Sequence, residues 1–176
     1  MRSRGPGDGA RAVPEAPDPD DAAAAEGVAV RILGGASQSA AALHRRLRRR
    51  GFSEEVAEQT TAAMVAHGYV DDAAFAQSIA ARRRRTGHGR IAVIAELRAK
   101  GIDDIAVNNV AGTTDVEGER SSALVLARRL AGHAGRDPTD RAGRQRLGAS
   151  LQRRGFDVET VHWVLRHLDT GAEEET

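Results

Sequence analysis

Few residues in this 176-residue chain are of types that do chemistry. They are the adjacent aspartates Asp71 and Asp72, six scattered histidines, and arginine clusters at 45–50 and 82–85. Paired carboxylates could share a proton or hold a divalent cation. Asp71 and Asp72 stand directly before an apolar-periodic stretch, where an acid accepts the free backbone N–H groups of a first helical turn. Helix capping is therefore their expected role. His162 and His167 are five residues apart, which misses the i, i+4 facing that a helical metal pair needs. Gly87-His88-Gly89 has neither the following Gly-Lys-Ser/Thr nor the preceding strand of a phosphate loop, and reads as a helix–helix turn. The chain has no cysteine and no Gly-x-Ser-x-Gly nucleophile elbow. No catalytic residue, metal site or cofactor is expected, and the protein reads as non-enzymatic.

What remains is positive charge. The net charge of +1 conceals a partition. Residues 1–27 hold three arginines against six acids, a net of −3, and residues 169–176 hold four acids and no base. The segment 28–168 between them carries 23 cations and 15 acids, a net of +8. A basic body with acidic ends suits an acidic or polyanionic partner, with the tails competing for the same surface. Placed on helices, Arg45, Arg48 and Arg49 fall opposite Leu43 and Leu47 and face solvent, with Arg50 nearer the apolar side. Arg83 and Arg84 point away from the Phe75–Ile79 stripe, while Arg82 lays its stem beside it. With Arg90, Arg98 and Lys100, the residues Arg45, Arg48, Arg49, Arg83 and Arg84 form the expected partner-binding set.

The elements that position these cations repeat. Leu43, Leu47, Gly51 and Phe52 are followed by Val93, Leu97, Gly101 and Ile102, and then by Leu147, Leu151, Gly155 and Phe156. The offsets of 50 and 54 residues lie at or just above the longest periods of helical repeats. In each copy two apolar residues share a helix face, a glycine ends the helix in a left-handed conformation, and the next apolar residue packs back.

Nine helices in three groups of three are predicted, with no strand. Residues 1–26 form a disordered tail, although the stretch from Asp20 to Glu26 could extend the first helix backwards. Repeat 1 covers 27–70, repeat 2 covers 71–117, repeat 3 covers 118–169, and 170–176 is an acidic tail. Asp137-Pro138-Thr139-Asp140 predicts a helix start with proline at its first position. Ile91, Val93, Ile94 and Leu97 spread over a wide arc, predicting burial on more than one side. Tyr69, Phe75, Phe52, Phe156 and Trp163 are the expected aromatic parts of successive small cores. The N-terminus lacks the apolar stretch of a signal peptide, and no run approaches the roughly 18 apolar residues of a membrane span. A cytoplasmic monomer with no membrane contact is expected.

Gly68-Tyr69-Val70-Asp71-Asp72-Ala73-Ala74-Phe75-Ala76 resembles the central motif of the RecX family of recombination regulators. The Arg82–Arg85 run, Gly87-His88-Gly89, Ile91, Ile94 and Glu96-Leu97-Arg98-Ala99-Lys100-Gly101-Ile102 continue the resemblance. Leu47…Gly51-Phe52 and Leu151-Gln152-Arg153-Arg154-Gly155-Phe156 fall where that family has its own. Together they cover residues 28–168. The resemblance implies an all-α fold of three tandem three-helix repeats forming an elongated, curved array. It also implies a partner, the RecA recombinase as a nucleoprotein filament on single-stranded DNA, whose ATPase and strand exchange are restrained in the control of DNA repair and the SOS response. Two departures affect helix lengths: Asn108–Thr114 predicts a short third helix in repeat 2, and Gly34-Gly35 a short opening helix in repeat 1. The alternative is a basic helical protein that contacts the phosphates of single- or double-stranded DNA directly, without a recombinase. A third reading is a helical adaptor for another partner.

Overall fold

A computed structural model describes residues 18–113, 115–131 and 137–168. The residues 1–17 and 169–176, where tails were expected, lie outside the described residues, as do residues 132–135, where a helix break was expected. The described residues form nine helices and no strand. They are α1 (Ala22–Gly35), α2 (Ala40–Arg49), α3 (Glu54–Ala66), α4 (Asp72–Arg85), α5 (Arg90–Ala99), α6 (Asp104–Gly112), α7 (Val116–Ala131), α8 (Arg141–Arg153) and α9 (Val158–His167).

The repeated Leu-x-x-x-Leu-x-x-x-Gly pattern builds the same corner three times. Gly51, Gly101 and Gly155 have φ of 101°, 77° and 82°, a region open to glycine and costly to residues with a Cβ. Each glycine N–H bonds back three residues, to the carbonyls of Arg48, Arg98 and Gln152. The next N–H reaches back five: Phe52 to Leu47 at 3.4 Å, Ile102 to Leu97 at 3.1 Å, Phe156 to Leu151 at 3.3 Å. This double closure satisfies the last carbonyls of α2, α5 and α8, and it turns the following apolar side chain onto the helix just ended. Phe52, Ile102 and Phe156 are all buried there. A side-chain cap then opens the third helix of each group. Ser53, Asp103 and Asp157 accept from the N–H groups of Val56, Ala106 and Thr160.

Each trio closes its own core. Leu43, Leu47 and Phe52 anchor the first, Val93, Leu97 and Val107 the second, and Leu147, Leu151 and Val164 the third. The helices pack chiefly on the two others of their own trio.

Consecutive trios meet through backbone, at a joint used twice. In the first, Ser39 Oγ donates to the Lys100 carbonyl at 2.7 Å, and the Ala40 N–H donates to Asp72 Oδ1 at 2.9 Å. In the second, the Gly89 N–H reaches the Arg154 carbonyl at 2.9 Å and the Ile91 N–H reaches the Gly155 carbonyl at 3.0 Å. There the Arg90 N–H donates to Glu119 Oε1 at 2.7 Å. Both times the N-terminus of a middle helix sits on the glycine corner of the next trio and is capped by an acid from that trio's first helix. A Cβ at Gly101 would lie 2.7 Å from Ala41 Cβ, and one at Gly89 would lie 2.5 Å from the Gly155 carbonyl oxygen. Head-to-tail joints that do not close generate an open row.

Both ends of the described row carry local contacts where a further joint would form. The N-terminus of α8, which would offer the next joint, is covered by its own lead-in: a Cβ at Gly143 would lie 2.7 Å from the Asp137 carbonyl carbon. At the other end the Ser53 N–H beside the Gly51 corner is taken by the Pro19 carbonyl at 2.8 Å. Ala22 there occupies the helix position that Asp72 has in α4.

Several expectations are corrected. Residues 22–26, assigned to the tail, begin α1, because alanine is the best helix former and Asp21 caps the Ala24 N–H. α1 ends at Gly34–Gly35 as read from the sequence, but at 14 residues it is not short; the two glycines form its last turn, where the carbonyls accept no further intrahelical bond and the backbone is least constrained. The third trio starts at Val116, since Asp115 accepts from the N–H groups of Glu117 and Gly118. Pro138 is not the first helical residue of α8; it lies in the turn before Asp140, whose carboxylate accepts from the Gly143 N–H. Ile91 is 52% exposed, so the apolar arc of α5 is buried only through Val93 and Leu97, with Ile94 packed alongside. Tyr69 is 63% exposed, its ring edge-on to His67, so it is no core residue. Phe75 and Trp163 are partly buried against the second and third cores.

Asp71 and Asp72 share a motif but cap different helices. Asp71 accepts from the Ala74 N–H of its own helix. Half-buried Asp72 instead caps α2 of the first trio. Burial pushes the Asp72 carboxyl above its ordinary range, the Ala40 N–H works against this, and the nearby charges of Asp103 and Asp71 add to the rise. A raised carboxyl means that at neutral pH the fold holds this charge less favourably than the unfolded chain does. That deficit disappears as pH falls through the folded value. Asp72→Asn, which keeps an oxygen acceptor and drops the charge, is expected to leave stability unchanged or raise it. Asp72→Ala should cost about 1–2 kcal/mol, the loss of a cap. Urea denaturation at neutral pH compares the two, and equal destabilisation by both would contradict the capping role.

Candidate partner-binding surface

The eight cations read from the sequence occupy three places and are not equivalent. Arg45, Arg48 and Arg49 lie exposed on α2 because Leu43 and Leu47 take the inward face. Arg48 turns back on its own trio, pairing through Nε with Glu54 Oε2 at 2.8 Å and donating to the Phe52 carbonyl. His44 Nε2 lies 3.1 Å from the same carboxylate. Arg45 and Arg49 have no carboxylate partner among the described residues. Arg45 reaches across the first joint, its Nη1 3.3 Å from where a Gly101 Cβ would stand.

The second place is the end of α4. Arg82 Nη2 meets Glu96 Oε1 at 2.9 Å, and Arg83 Nε meets Glu96 Oε2. Arg83 is thus the half-buried member and Arg82 the exposed one, the reverse of the sequence expectation, because α5 brings Glu96 to that side. Burial raises the Glu96 carboxyl, but the hydrogen bond from Arg83 and the charges of Arg83, Arg82 and Lys100 outweigh it and hold the group below its usual range. Lys100 therefore contributes to the same field. Arg84 is exposed.

The third place is α5. At its start, in the second joint, Arg90 sits over buried Glu119, with Nε 4.0 Å from Oε2; at its other end Arg98 lies 3.6 Å from Asp104. Arg48, Arg83, Arg90 and Arg98 thus first neutralise acids of this chain, and only their remaining N–H groups face outward. Of the motif residues, Gly51, Gly101 and Gly155 form the corners, Asp71 caps α4, Asp72 caps α2 across the first joint, and Phe75 packs on the second core. Tyr69 is left exposed.

Beside Arg45 the structure adds a feature the sequence did not reveal. A shallow groove of about 560 Å³ runs between α2 and α3, lined by Ala41, His44, Arg45, Ala62 and Val65 among others. Its small side chains leave room for a protruding residue from outside, next to an unpaired guanidinium. The legible signal was the Ala40–Ala42 and Ala62–Ala63 stretches, which read only as helix formers.

A family model for the RecX second three-helix domain matches residues 71–110, from the cap Asp71 into α6. Regulatory protein RecX of Stenotrophomonas maltophilia (strain R551-3) is 36% identical over 126 residues, covering 71% of this chain and 75% of that protein. The chain belongs to the RecX family. Regulatory protein RecX of Mycobacterium avium (strain 104) is 31% identical over 144 residues, 81% of this chain and 83% of its relative. The crystal structure of RecX from Lactobacillus salivarius superposes with a TM-score of 0.77 over 86% of this chain and 98% of that one. At 20% identity this likeness speaks to the all-α repeat fold alone. Membership in the RecX family makes the protein a regulator. Among the described residues no helix is long and apolar enough to cross a membrane, and no cluster of acids and histidines could hold a metal ion.

Proposed function

We propose that this protein binds the RecA recombinase as a filament on single-stranded DNA and restrains its ATPase and strand-exchange activities. The observation that carries the reading is the joint used twice. A row of like units, each offering cations, suits a target that itself repeats, because modest contacts fixed at regular spacing act together. Spanning neighbouring RecA protomers, the row would occlude the groove that takes up a second DNA and resist the subunit movements that accompany ATP turnover. Arg45 and Arg49 lead the contact, with Arg84 and Lys100 beside them. Arg48, Arg83, Arg90 and Arg98 contribute through N–H groups not engaged by Glu54, Glu96, Glu119 and Asp104.

The test is RecA ATPase on single-stranded DNA titrated with this protein. Inhibition at or below equimolar ratio is expected, and its absence would discard the proposal. Arg45→Glu with Arg49→Glu should raise the half-inhibitory concentration roughly tenfold, since charges at an exposed surface act through association more than through folding. Circular dichroism should be unchanged. An unaltered titration curve would remove α2 from the interface.

The unpaired state of Arg45 and Arg49 also favours a second reading, direct contact with DNA phosphates. It requires tight binding without RecA whose affinity falls steeply with salt. A gel shift at two salt concentrations separates the two readings.

A further inference from the structure

Between the second and third trios lies a cleft that shares only Arg84 with the proposed RecA contact. It has a volume of about 570 Å³. One wall is the end of α4 and its turn; the other is a single face of α7, with the α8–α9 corner at the side. Arg84, Arg85, Arg129 and Arg154 line it, and among the described residues no carboxylate does. Arg85 and Arg154 have no ion-pair partner among the described residues. The floor is aliphatic: Leu126 is buried, Leu130 is partly buried, and Val125 is left 57% exposed between the cations.

Arg85 and Arg154 bring uncompensated positive charge to a concave surface whose low-dielectric walls strengthen its field. A bound carboxylate offsets that charge and can be gripped in bidentate fashion. Phosphates would satisfy the charge but leave Val125 and Leu130 against water. A ligand that satisfies both halves carries carboxylates and an aliphatic side chain together.

We propose that this cleft binds an acidic peptide segment of a partner protein, with an aliphatic side chain seated on Val125 and Leu130 and flanking carboxylates on the arginines. Because the walls come from two trios, the bound segment also staples the second joint. It resists any change in the angle between trios and adds to their stability by mass action. The proposal does not depend on the RecA reading.

The test uses the full chain and a fluorescein-labelled peptide, Glu-Glu-Leu-Leu-Glu-Glu, followed by anisotropy at physiological salt. Saturable binding is expected, with a several-fold loss when the leucines become alanine and near-complete loss when the glutamates become glutamine. Arg85→Glu with Arg154→Glu should weaken binding at least about tenfold, the scale of losing close charge contacts. Arg154 is half-buried at the joint, so Val125→Glu at an exposed position is the second variant, and it should abolish binding while circular dichroism stays unchanged. Absence of saturable binding, or full retention by Val125→Glu, overturns the proposal. Equal binding of the alanine peptide, or displacement by a single-stranded oligonucleotide more readily than by unlabelled peptide, overturns it too and reassigns the cleft to phosphates.

Discussion

Gly155→Val is expected to separate the third trio from the second. Gly155 has φ of +82°, where a branched side chain costs roughly 1–2 kcal/mol. A Cβ there would also lie 2.5 Å from Ala92 Cβ. The α5 N-terminus must therefore withdraw, and the bonds from the Gly89 and Ile91 N–H groups to Arg154 and Gly155 break with it. The total loss should reach roughly 3 kcal/mol or more. Gly68→Val is the control, with φ of +74° and nothing within 4 Å of the added Cβ. It should cost the backbone strain alone. Denaturant melts of the two variants measure the difference, and amide exchange at Gly89–Ile91 locates it. If Gly155→Val is no worse than Gly68→Val, the joint does not hold the trios together.

Phe52→Ala should be the most damaging core truncation in the first trio, at about 3–5 kcal/mol. Phe52 has no exposed surface and fills the corner between α2 and α3. The damage should stay local. The first trio packs chiefly on itself and meets the second at one joint of a few bonds, so units of such a row can open separately. Hydrogen exchange is expected to accelerate in α1–α3 and stay slow in α7–α9. A uniform acceleration across all nine helices would show that the row folds as one cooperative body.

Much of the fold was legible in the sequence because each corner is a local event. A buried pair at i and i+4, a glycine, an apolar residue and a capping Ser or Asp all lie within one short stretch, and their physics needs nothing from elsewhere. The joint was illegible for the opposite reason. Ser39 and Lys100 are 61 residues apart, their bond uses a backbone carbonyl, and neither residue type announces it. Asp72 shows how this misleads: beside Asp71 it reads as a second cap for α4, and only the placed backbone of α2 reveals whose N–H it takes. The candidate surface was half legible. A helical wheel placed Arg45, Arg48 and Arg49 outward, but it could not tell which cations meet Glu54 or Glu96, because those pairings depend on neighbouring helices. Arg85, Arg129 and Arg154 were passed over since they converge only once α4, α7 and the α8–α9 corner are brought together.

The covered N-terminus of α8 and the Pro19 contact beside the Gly51 corner bear on how a further module could be joined to the described row. A fourth module grafted onto the C-terminal side would find Asp137 where its own glycine bend should rest. One grafted in front would find Pro19 at Ser53 and an alanine where the stabilising acid is wanted. Both ends of the described row are thus poor joints for a further module. Insertion in the interior, copying a whole segment such as Asp71–Val110, is the route by which a longer ruler could be made.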